Sequence, residues 1–169
     1  MQSKIIEYQG AMLHYQIGGT ETASVIVLLH GGFSSIADFA PLLPRLQQHY
    51  RVIAIDTRGH GRSTLGTAAL TYAQAADDVR QILRSEGVEK YSLFGFSDGG
   101  TTAYRLGAED KNIEKIITVG AEWHKKHLGG VRPMFEAINS GFVKKICPNS
   151  SLPIRQPTLS LMRINGRQL

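Results

Sequence analysis

The sequence contains a single cysteine, Cys147, among its 169 residues. One thiol excludes an internal disulfide framework, and we interpret it as an ordinary free thiol in a reducing compartment. The chain also has no apolar run long enough to span a membrane, and residues 1–7 lack the apolar run of a signal peptide. These absences predict a cytoplasmic protein with no membrane partner.

Acidic residues are scarce in the last part of the chain. Residues 123–169 contain 8 Lys and Arg against 1 Asp or Glu, whereas residues 1–122 contain 11 against 13. The net charge of +5 therefore comes from the C-terminal part. These cations form no dense run and lack the interleaved aromatic residues of a nucleic-acid platform. We predict no nucleic-acid partner and interpret them as a solvated surface, or as half of a domain whose acidic remainder is absent.

Apolar residues make up 42% of the chain, enough for one globular domain with a sizeable core. The continuous apolar runs Val25–Leu29 and Val52–Ile55 indicate parallel strands covered by helices on both faces. Further strand and helix patterns alternate along the chain. The strands are expected at Lys4–Tyr8 and Met12–Ile17 (an edge hairpin), Tyr91–Phe96, Lys115–Val119 and Gln156–Met162. The helices are expected around Ile36–Gln48, where Pro41 and Pro44 interrupt the stretch, at Ala73–Ser85 and Gly99–Leu106, and within 124–150.

The pattern Gly95-Phe96-Ser97-Asp98-Gly99 joins the strand that ends at Phe96 to the helix that follows. A serine on so tight a turn is held in a strained backbone conformation, and the flanking positions must be glycine because a Cβ would collide with the neighbouring helix and strand. The start of the helix offers free N–H groups that stabilise negative charge on a substrate oxygen. Ser97 is therefore the candidate nucleophile.

Three motifs together carry a resemblance to the α/β-hydrolase superfamily, from about Ile5 to about Met162. They are His30-Gly31-Gly32-Phe33, Asp56-Thr57-Arg58-Gly59-His60-Gly61-Arg62-Ser63 and Gly95-Phe96-Ser97-Asp98-Gly99, in this order after successive strands. The run Ser97-Asp98-Gly99-Gly100 is also similar to the nucleophile elbow of esterases and amidases of the valacyclovir-hydrolase type. The resemblance implies a doubly wound, mostly parallel α/β sheet.

The resemblance also implies roles for individual residues. Ser97 would attack the substrate carbonyl, while the backbone N–H groups of Gly32 and Asp98 would form the oxyanion hole. The Asp98 carboxylate would either cap the elbow helix, the alternative we favour, or bind a substrate ammonium group. Phe33 and Phe96 would line the acyl pocket or pack in the core.

Four other residues of the motifs are interpreted as structural. His30 and His60 lie within the motifs, where such histidines support loop geometry and are not expected to be catalytic bases. Asp56 and Arg58 are expected to form a charge pair that braces their loop. Trp123 would lie in a pocket or cap wall.

The catalytic acid and base are the missing parts. The family presents Ser, then Asp or Glu, then His along the chain, but here no histidine follows His127 and no acidic residue follows Glu136. Glu122 occupies the alternative position of the acid, although a solvated loop carboxylate is the simpler interpretation. His124 and His127 have no spacing that would bring them to the serine.

Three explanations fit this gap. The chain is a fragment of a longer hydrolase, a natural short form that binds without catalysis, or a hydrolase whose histidine comes from its own cap or from a partner. We favour the first, because the resemblance stops within a strand and the C-terminal charge is one-sided.

The sequence thus predicts one α/β-hydrolase-like domain over residues 1–169, with 123–152 a partial cap-like region and without the last strand and helix. Its function would be hydrolysis of a small ester or amide through an acyl-enzyme, weak or absent without the histidine, with no metal and no organic cofactor. The alternative is a non-catalytic binding module. The exposed strand edge Pro157–Met162 predicts self-association.

Overall fold

A computed structural model of the chain describes residues 1–122. The expected cap-like region 123–152, the last strand at Gln156–Met162 and the residues Trp123, His124 and His127 lie outside the described residues. The self-association predicted through Pro157–Met162 stays a prediction for the same reason.

The chain begins with an antiparallel hairpin at one edge of the sheet. Strand β1 (Gln2–Tyr8) pairs with β2 (Ala11–Gly19), so that Tyr8 lies opposite Ala11. The two turn residues, Gln9 and Gly10, have φ angles of 48° and 70°. Two positive φ angles are typical of the tight turn whose twist matches the flanking strands. The predicted edge hairpin is confirmed.

The described residues form one six-stranded sheet in the order β1-β2-β4-β3-β5-β6. Strand β2 pairs antiparallel with β4, whereas β3 pairs parallel with β4 and β5, and β5 pairs parallel with β6. The remaining strands are β3 (Val25–Leu29), β4 (Arg51–Ile55), β5 (Tyr91–Phe96) and β6 (Ile113–Val119). The mostly parallel, doubly wound α/β sheet predicted from the sequence is confirmed.

Apolar residues are buried on both faces of this sheet, because alternate residues of a strand point to opposite faces. On one face, Val27 and Leu29 of β3 pack with helices α2 (Tyr72–Ser85) and α3 (Asp98–Gly107). On the other, Ile26 and Leu28 pack with Ile36 and Phe39. Every residue of β3 is consequently buried, as its continuous apolar run predicts.

The helical stretch expected around Ile36–Gln48, with interruptions at Pro41 and Pro44, consists of two short pieces. A 3-10 helix runs over Ile36–Phe39, and helix α1 covers only Leu43–Leu46. Pro41 lies between them, and proline has no N–H for a helical hydrogen bond and clashes with the preceding turn. Both pieces still contribute apolar side chains to the second face of the core.

No helix within residues 1–122 is long and apolar enough to cross a membrane. Strand β6 lies at the edge of the six-stranded sheet opposite the hairpin, and Ile116, Ile117 and Val119 are exposed there.

Candidate active site

Ser97 lies alone between β5 and α3, in a strained backbone conformation with φ 50° and ψ −116°. Its N–H donates to the carbonyl oxygen of Val119 (2.9 Å), and its carbonyl oxygen accepts from the N–H groups of Gly100 and Thr101 (2.9 and 3.1 Å). The backbone on both sides of the turn is therefore fixed, which is what an unfavourable conformation requires in order to persist.

The glycines that flank Ser97 are required by close backbone packing, as the sequence predicts. A Cβ on Gly95 would lie 2.5 Å from the carbonyl oxygen of Gly99 and 2.6 Å from Gly100 Cα. A Cβ on Gly99 would overlap the carbonyl oxygen of Leu29 and lie 2.6 Å from that of His30. The serine turn is thus packed directly against the end of β3.

Replacing Gly99 with alanine is expected to lower the free energy of unfolding by about 1–3 kcal/mol, because the new methyl group meets backbone atoms that cannot move aside cheaply. The matched control is Gly107→Ala in the same helix, where the methyl group meets only the flexible end of the Ile116 side chain. Urea unfolding of both variants measures the difference. Equal stabilities would contradict the close packing of the turn on β3.

The loop that follows β3 lies against the serine. A Cβ on Gly31 would lie 3.3 Å from Ser97 Cβ, and one on Gly32 would overlap the Asp98 carboxylate. The Ser97 side chain is half-buried, and no residue within 1–122 forms a hydrogen bond to its hydroxyl. In the same part of the chain the N–H groups of Gly32 and Asp98 also have no acceptor. One hydroxyl and two backbone donors are therefore available at neighbouring positions.

The Asp98 carboxylate does not cap the elbow helix by a hydrogen bond, which corrects the alternative favoured from the sequence. Helix α3 has no side-chain cap, and Asp98 Oδ1 accepts instead from the Tyr72 hydroxyl (2.8 Å). Burial of that hydroxyl, reinforced by the adjacent carboxylate, raises the pKa of Tyr72. Tyr72 therefore remains a proton donor that holds the carboxylate in place.

A cavity of about 50 Å³ lies beside this pair and is lined in part by His30, Gly32, Tyr72, Asp98 and Thr102. Pockets for drug-sized ligands usually measure about 300–1,000 Å³. This cavity is therefore too small to enclose such a ligand by itself.

Phe96 lies next to the serine and is 44% exposed, outside both apolar clusters of the core. Its ring approaches the positions that a Cβ would occupy on Gly31 (3.0 Å) and Gly120 (3.8 Å). Core packing is therefore the wrong interpretation for Phe96, whereas lining of a substrate site stays a prediction. Phe33 is half-buried and has a positive φ of 61° in the loop after β3.

His30 and His60 are occupied by loop hydrogen bonds. His30 Nδ1 donates to the carbonyl oxygen of Gly31 (2.6 Å), and His30 Nε2 accepts from the N–H of Thr57 (3.1 Å). Burial lowers the pKa of His30, which favours this neutral form. His60 Nδ1 donates to the carbonyl oxygen of Arg58 (3.0 Å). Both histidines hold loops together, in agreement with the interpretation from the sequence.

The charge pair expected between Asp56 and Arg58 is wrong. Arg58 forms its ion pair with Asp78 of α2 (Nη2 to Oδ1, 2.7 Å), while Asp56 contacts His14 of β2 (Oδ2 to Nδ1, 2.8 Å). The two residues belong to one loop, but their side chains bind partners that are distant in sequence. Local spacing does not determine such contacts.

Glu122 is exposed, and its backbone carbonyl oxygen accepts a hydrogen bond from the Thr101 hydroxyl (3.1 Å). Its place after β6 agrees with the alternative position for a catalytic acid, which stays a prediction. Within residues 1–122, no three His, Cys, Asp or Glu side chains cluster as potential metal ligands.

The sequence did not indicate three side chains near these loops, namely Tyr72, His14 and Asp78. Each contacts a motif residue more than fifteen positions away in the chain. Asp78 is the one polar residue on the buried face of α2, which was the available signal, since buried polar groups require partners. His14 alternates with the apolar residues Leu13 and Tyr15 along β2, so the sequence pattern gave no such signal for it.

Comparison with known proteins identifies the family to which this fold belongs. The family model described as the alpha/beta hydrolase fold matches residues 24–139. The chain is 37% identical over 103 residues to 3-oxoadipate enol-lactonase 1 of Acinetobacter baylyi. The aligned region covers 61% of this chain and 38% of that relative. It is 37% identical over 143 residues to the proline iminopeptidase PfmaB of Pestalotiopsis fici, covering 80% and 50%.

Among solved structures, the enol-lactonase of Burkholderia xenovorans LB400 superimposes with a TM-score of 0.64 at 31% identity, covering 67% of this chain and 45% of that one. The chain thus spans half or less of the length of these three relatives. The matched residues 24–139 include the serine turn and both motif loops that lie near it. The chain belongs to the α/β-hydrolase family.

Proposed function

We propose that this chain carries the nucleophile and the oxyanion hole of a serine hydrolase that acts on small esters or amides. The observation that carries the proposal is the strained Ser97 turn, with its half-buried hydroxyl, packed against a glycine loop. Relatives of the chain include an esterase of Escherichia coli and the enol-lactonase described above, which supports ester substrates.

In the proposed reaction, Ser97 Oγ attacks the carbonyl carbon and the leaving group departs, giving an acyl-serine that water then hydrolyses. The N–H groups of Gly32 and Asp98 bind the oxyanion of the tetrahedral intermediate. Each such donor is typically worth about 2.7–4 kcal/mol of barrier. Phe96 and Phe33 would form the wall of the acyl site, and Glu122 is the candidate for the catalytic acid.

No hydrogen bond joins the Ser97 hydroxyl to another residue within 1–122, and His30 and His60 are held in loop hydrogen bonds. We propose that a histidine outside this chain deprotonates Ser97 in the whole protein. Without a positioned base, an oxyanion hole and substrate binding still leave about 10³–10⁴-fold acceleration over water in well-studied serine enzymes. Weak activity is therefore expected from this chain.

The Asp98 carboxylate is a candidate for recognising a substrate ammonium group. It lies half-buried beside Gly32 and the small cavity, with one oxygen held by Tyr72. A carboxylate held in this way attracts an amine more strongly than a freely moving one, because less side-chain entropy is lost on binding. Faster reaction of an α-amino ester than of its N-acetyl counterpart would support this assignment.

Ser97→Ala tests the proposed function. With p-nitrophenyl acetate, the unmodified chain is expected to release p-nitrophenolate and to carry an acetyl ester on the peptide that contains Ser97. The variant should not form this adduct, because the attacking oxygen is gone. It should also release less p-nitrophenolate, since the part formed through Ser97 is lost. Stopped samples analysed by peptide mass mapping measure the adduct.

Ser34→Ala is the matched control, since Ser34 lies on the neighbouring loop and its hydroxyl donates to the Asp38 carboxylate. It should behave as the unmodified chain. Equal p-nitrophenolate release from the unmodified chain and from Ser97→Ala, with no acetyl ester at position 97, would favour the other candidate, a binding module without catalysis.

A further inference from the structure

A second chain of serine, histidine and aspartate lies at the N-terminal hairpin. Ser3 Oγ is 2.6 Å from His14 Nε2, and His14 Nδ1 is 2.8 Å from Asp56 Oδ2. An ionised carboxylate only accepts hydrogen bonds, so in the neutral imidazole the proton resides on Nδ1 and Nε2 accepts from the Ser3 hydroxyl. A nucleophile, a base and a carboxylate that orients the base are the parts of an activated serine.

The histidine and the aspartate of this chain are rigidly held. His14 is 1% exposed and Asp56 is 2% exposed. The Asp56 carboxylate also accepts from the backbone N–H groups of Ile36 (2.8 Å) and Arg62 (3.0 Å). The backbone N–H of His14 donates to Ser63 Oγ, which donates to the carbonyl oxygen of Asp56. The imidazole therefore has one orientation, with Nε2 directed at Ser3.

Ser3 itself is exposed on the edge strand β1. Arg62, which is also exposed, donates from Nη1 to Ser3 Oγ (3.2 Å). A guanidinium beside the hydroxyl oxygen stabilises negative charge there and on an attacked carbonyl oxygen nearby. A reagent can therefore reach the serine from solvent while the base behind it remains buried.

We propose that Ser3 is a second nucleophilic hydroxyl, which accepts the acyl group of an activated ester. Ser3 Oγ forms a bond to the carbonyl carbon, its proton passes to His14 Nε2, and the bond from that carbon to the leaving oxygen breaks. The leaving group departs with the electron pair and takes up the proton from His14 or from water. The product is an acyl ester on Ser3, formed without any participation of Ser97.

The test uses the full chain with Ser97→Ala, so that the proposed primary nucleophile is absent. The protein is treated with p-nitrophenyl acetate and its peptides are mapped by mass at several times. Acetyl esters are removed by hydroxylamine, whereas acetyl amides on the Met1 amino group or on Lys4 resist it. We expect Ser3 to be acetylated at least about 10²-fold faster than Ser24, an exposed serine with no such base within residues 1–122. This is the size of effect that a positioned general base typically gives.

Variants at two exposed positions, Ser3 and Arg62, provide controls that leave the buried residues intact. Ser3→Ala in the same background should abolish the ester on the N-terminal peptide. Arg62→Gln should slow acetylation of Ser3 several-fold, and Arg62→Lys should retain part of the rate, while circular dichroism shows that both remain folded.

Acetylation of Ser3 at the rate of Ser24 would overturn the proposal and leave only a structural role for the three side chains. That result would leave the Ser97 adduct in the unmodified chain untouched, so the two proposals can fail separately. An ester on Ser3 whose rate is insensitive to Arg62 would overturn the role given to the guanidinium.

Discussion

Asp78→Ala is expected to lower the free energy of unfolding by about 3–5 kcal/mol, the usual cost of removing one partner from a buried ion pair. The Arg58 guanidinium donates to both carboxylate oxygens of Asp78, from Nε (2.8 Å) and Nη2 (2.7 Å). Their side chains are 2% and 5% exposed. Truncation at position 78 leaves a buried cation without its counter-charge.

The remaining contacts of Arg58 do not replace this carboxylate. The guanidinium also donates to the backbone carbonyl oxygens of Tyr8 and Leu65 (both 3.2 Å), which are neutral acceptors. These bonds connect the loop after β4 to the hairpin turn and to the segment before α2. Loss of Asp78 is therefore expected to loosen all three segments together, and urea unfolding followed by circular dichroism measures the change.

Asp77→Ala is the matched control, one position earlier on the same helix. Asp77 is half-buried and accepts a hydrogen bond from the Tyr8 hydroxyl (2.6 Å), so its removal should cost only about 0.5–1.5 kcal/mol. If Asp78→Ala cost no more than this control, the buried pair would not be the connection between loop and helix that its geometry indicates.

The sequence predicted most of the sheet because its strands are buried on both faces. Val25–Leu29 and Val52–Ile55 are continuous apolar runs bounded by polar residues, and the structure places both as adjacent parallel strands. In the segment 36–48, where interruptions were expected at Pro41 and Pro44, Pro41 lies in the break between the two pieces, whereas Pro44 lies in the first turn of α1. Periodicity shows which residues face the core and gives less information on where a helix is interrupted.

The same distinction applies to the candidate site. The strained Ser97 turn and the need for Gly95 and Gly99 follow from a local pattern, and the structure shows both. The partners of Asp56, Arg58 and Asp98 come from other elements and were not predictable from spacing. Polar contacts across elements depend on how the elements pack, whereas a tight turn depends on its own few residues.

Gly32→Ala is expected to slow acylation of Ser97 by about 10²–10³-fold, the typical cost of losing one oxyanion donor. A methyl group on residue 32 would overlap the Asp98 carboxylate, whose other oxygen is held by the Tyr72 hydroxyl. Since that carboxylate cannot turn away without losing its hydrogen bond, the backbone of residue 32 must move instead, and its N–H with it. Burst kinetics with p-nitrophenyl acetate, assigned to Ser97 by peptide mapping, measure the rate.

Asp98→Ala provides the second arm of a double-mutant cycle, because it removes the carboxylate and keeps the backbone N–H of residue 98. In that background the methyl group at position 32 has room, so Gly32→Ala should slow acylation of Ser97 less than about tenfold. The difference between the effects of Gly32→Ala in the two backgrounds measures the contact between the two side chains. If Gly32→Ala slowed acylation equally in both backgrounds, the cause would lie elsewhere in the loop and not in the contact with Asp98. An unchanged rate in Gly32→Ala alone would mean that the N–H of residue 32 does not bind the oxyanion, and the assignment of that donor would have to be abandoned.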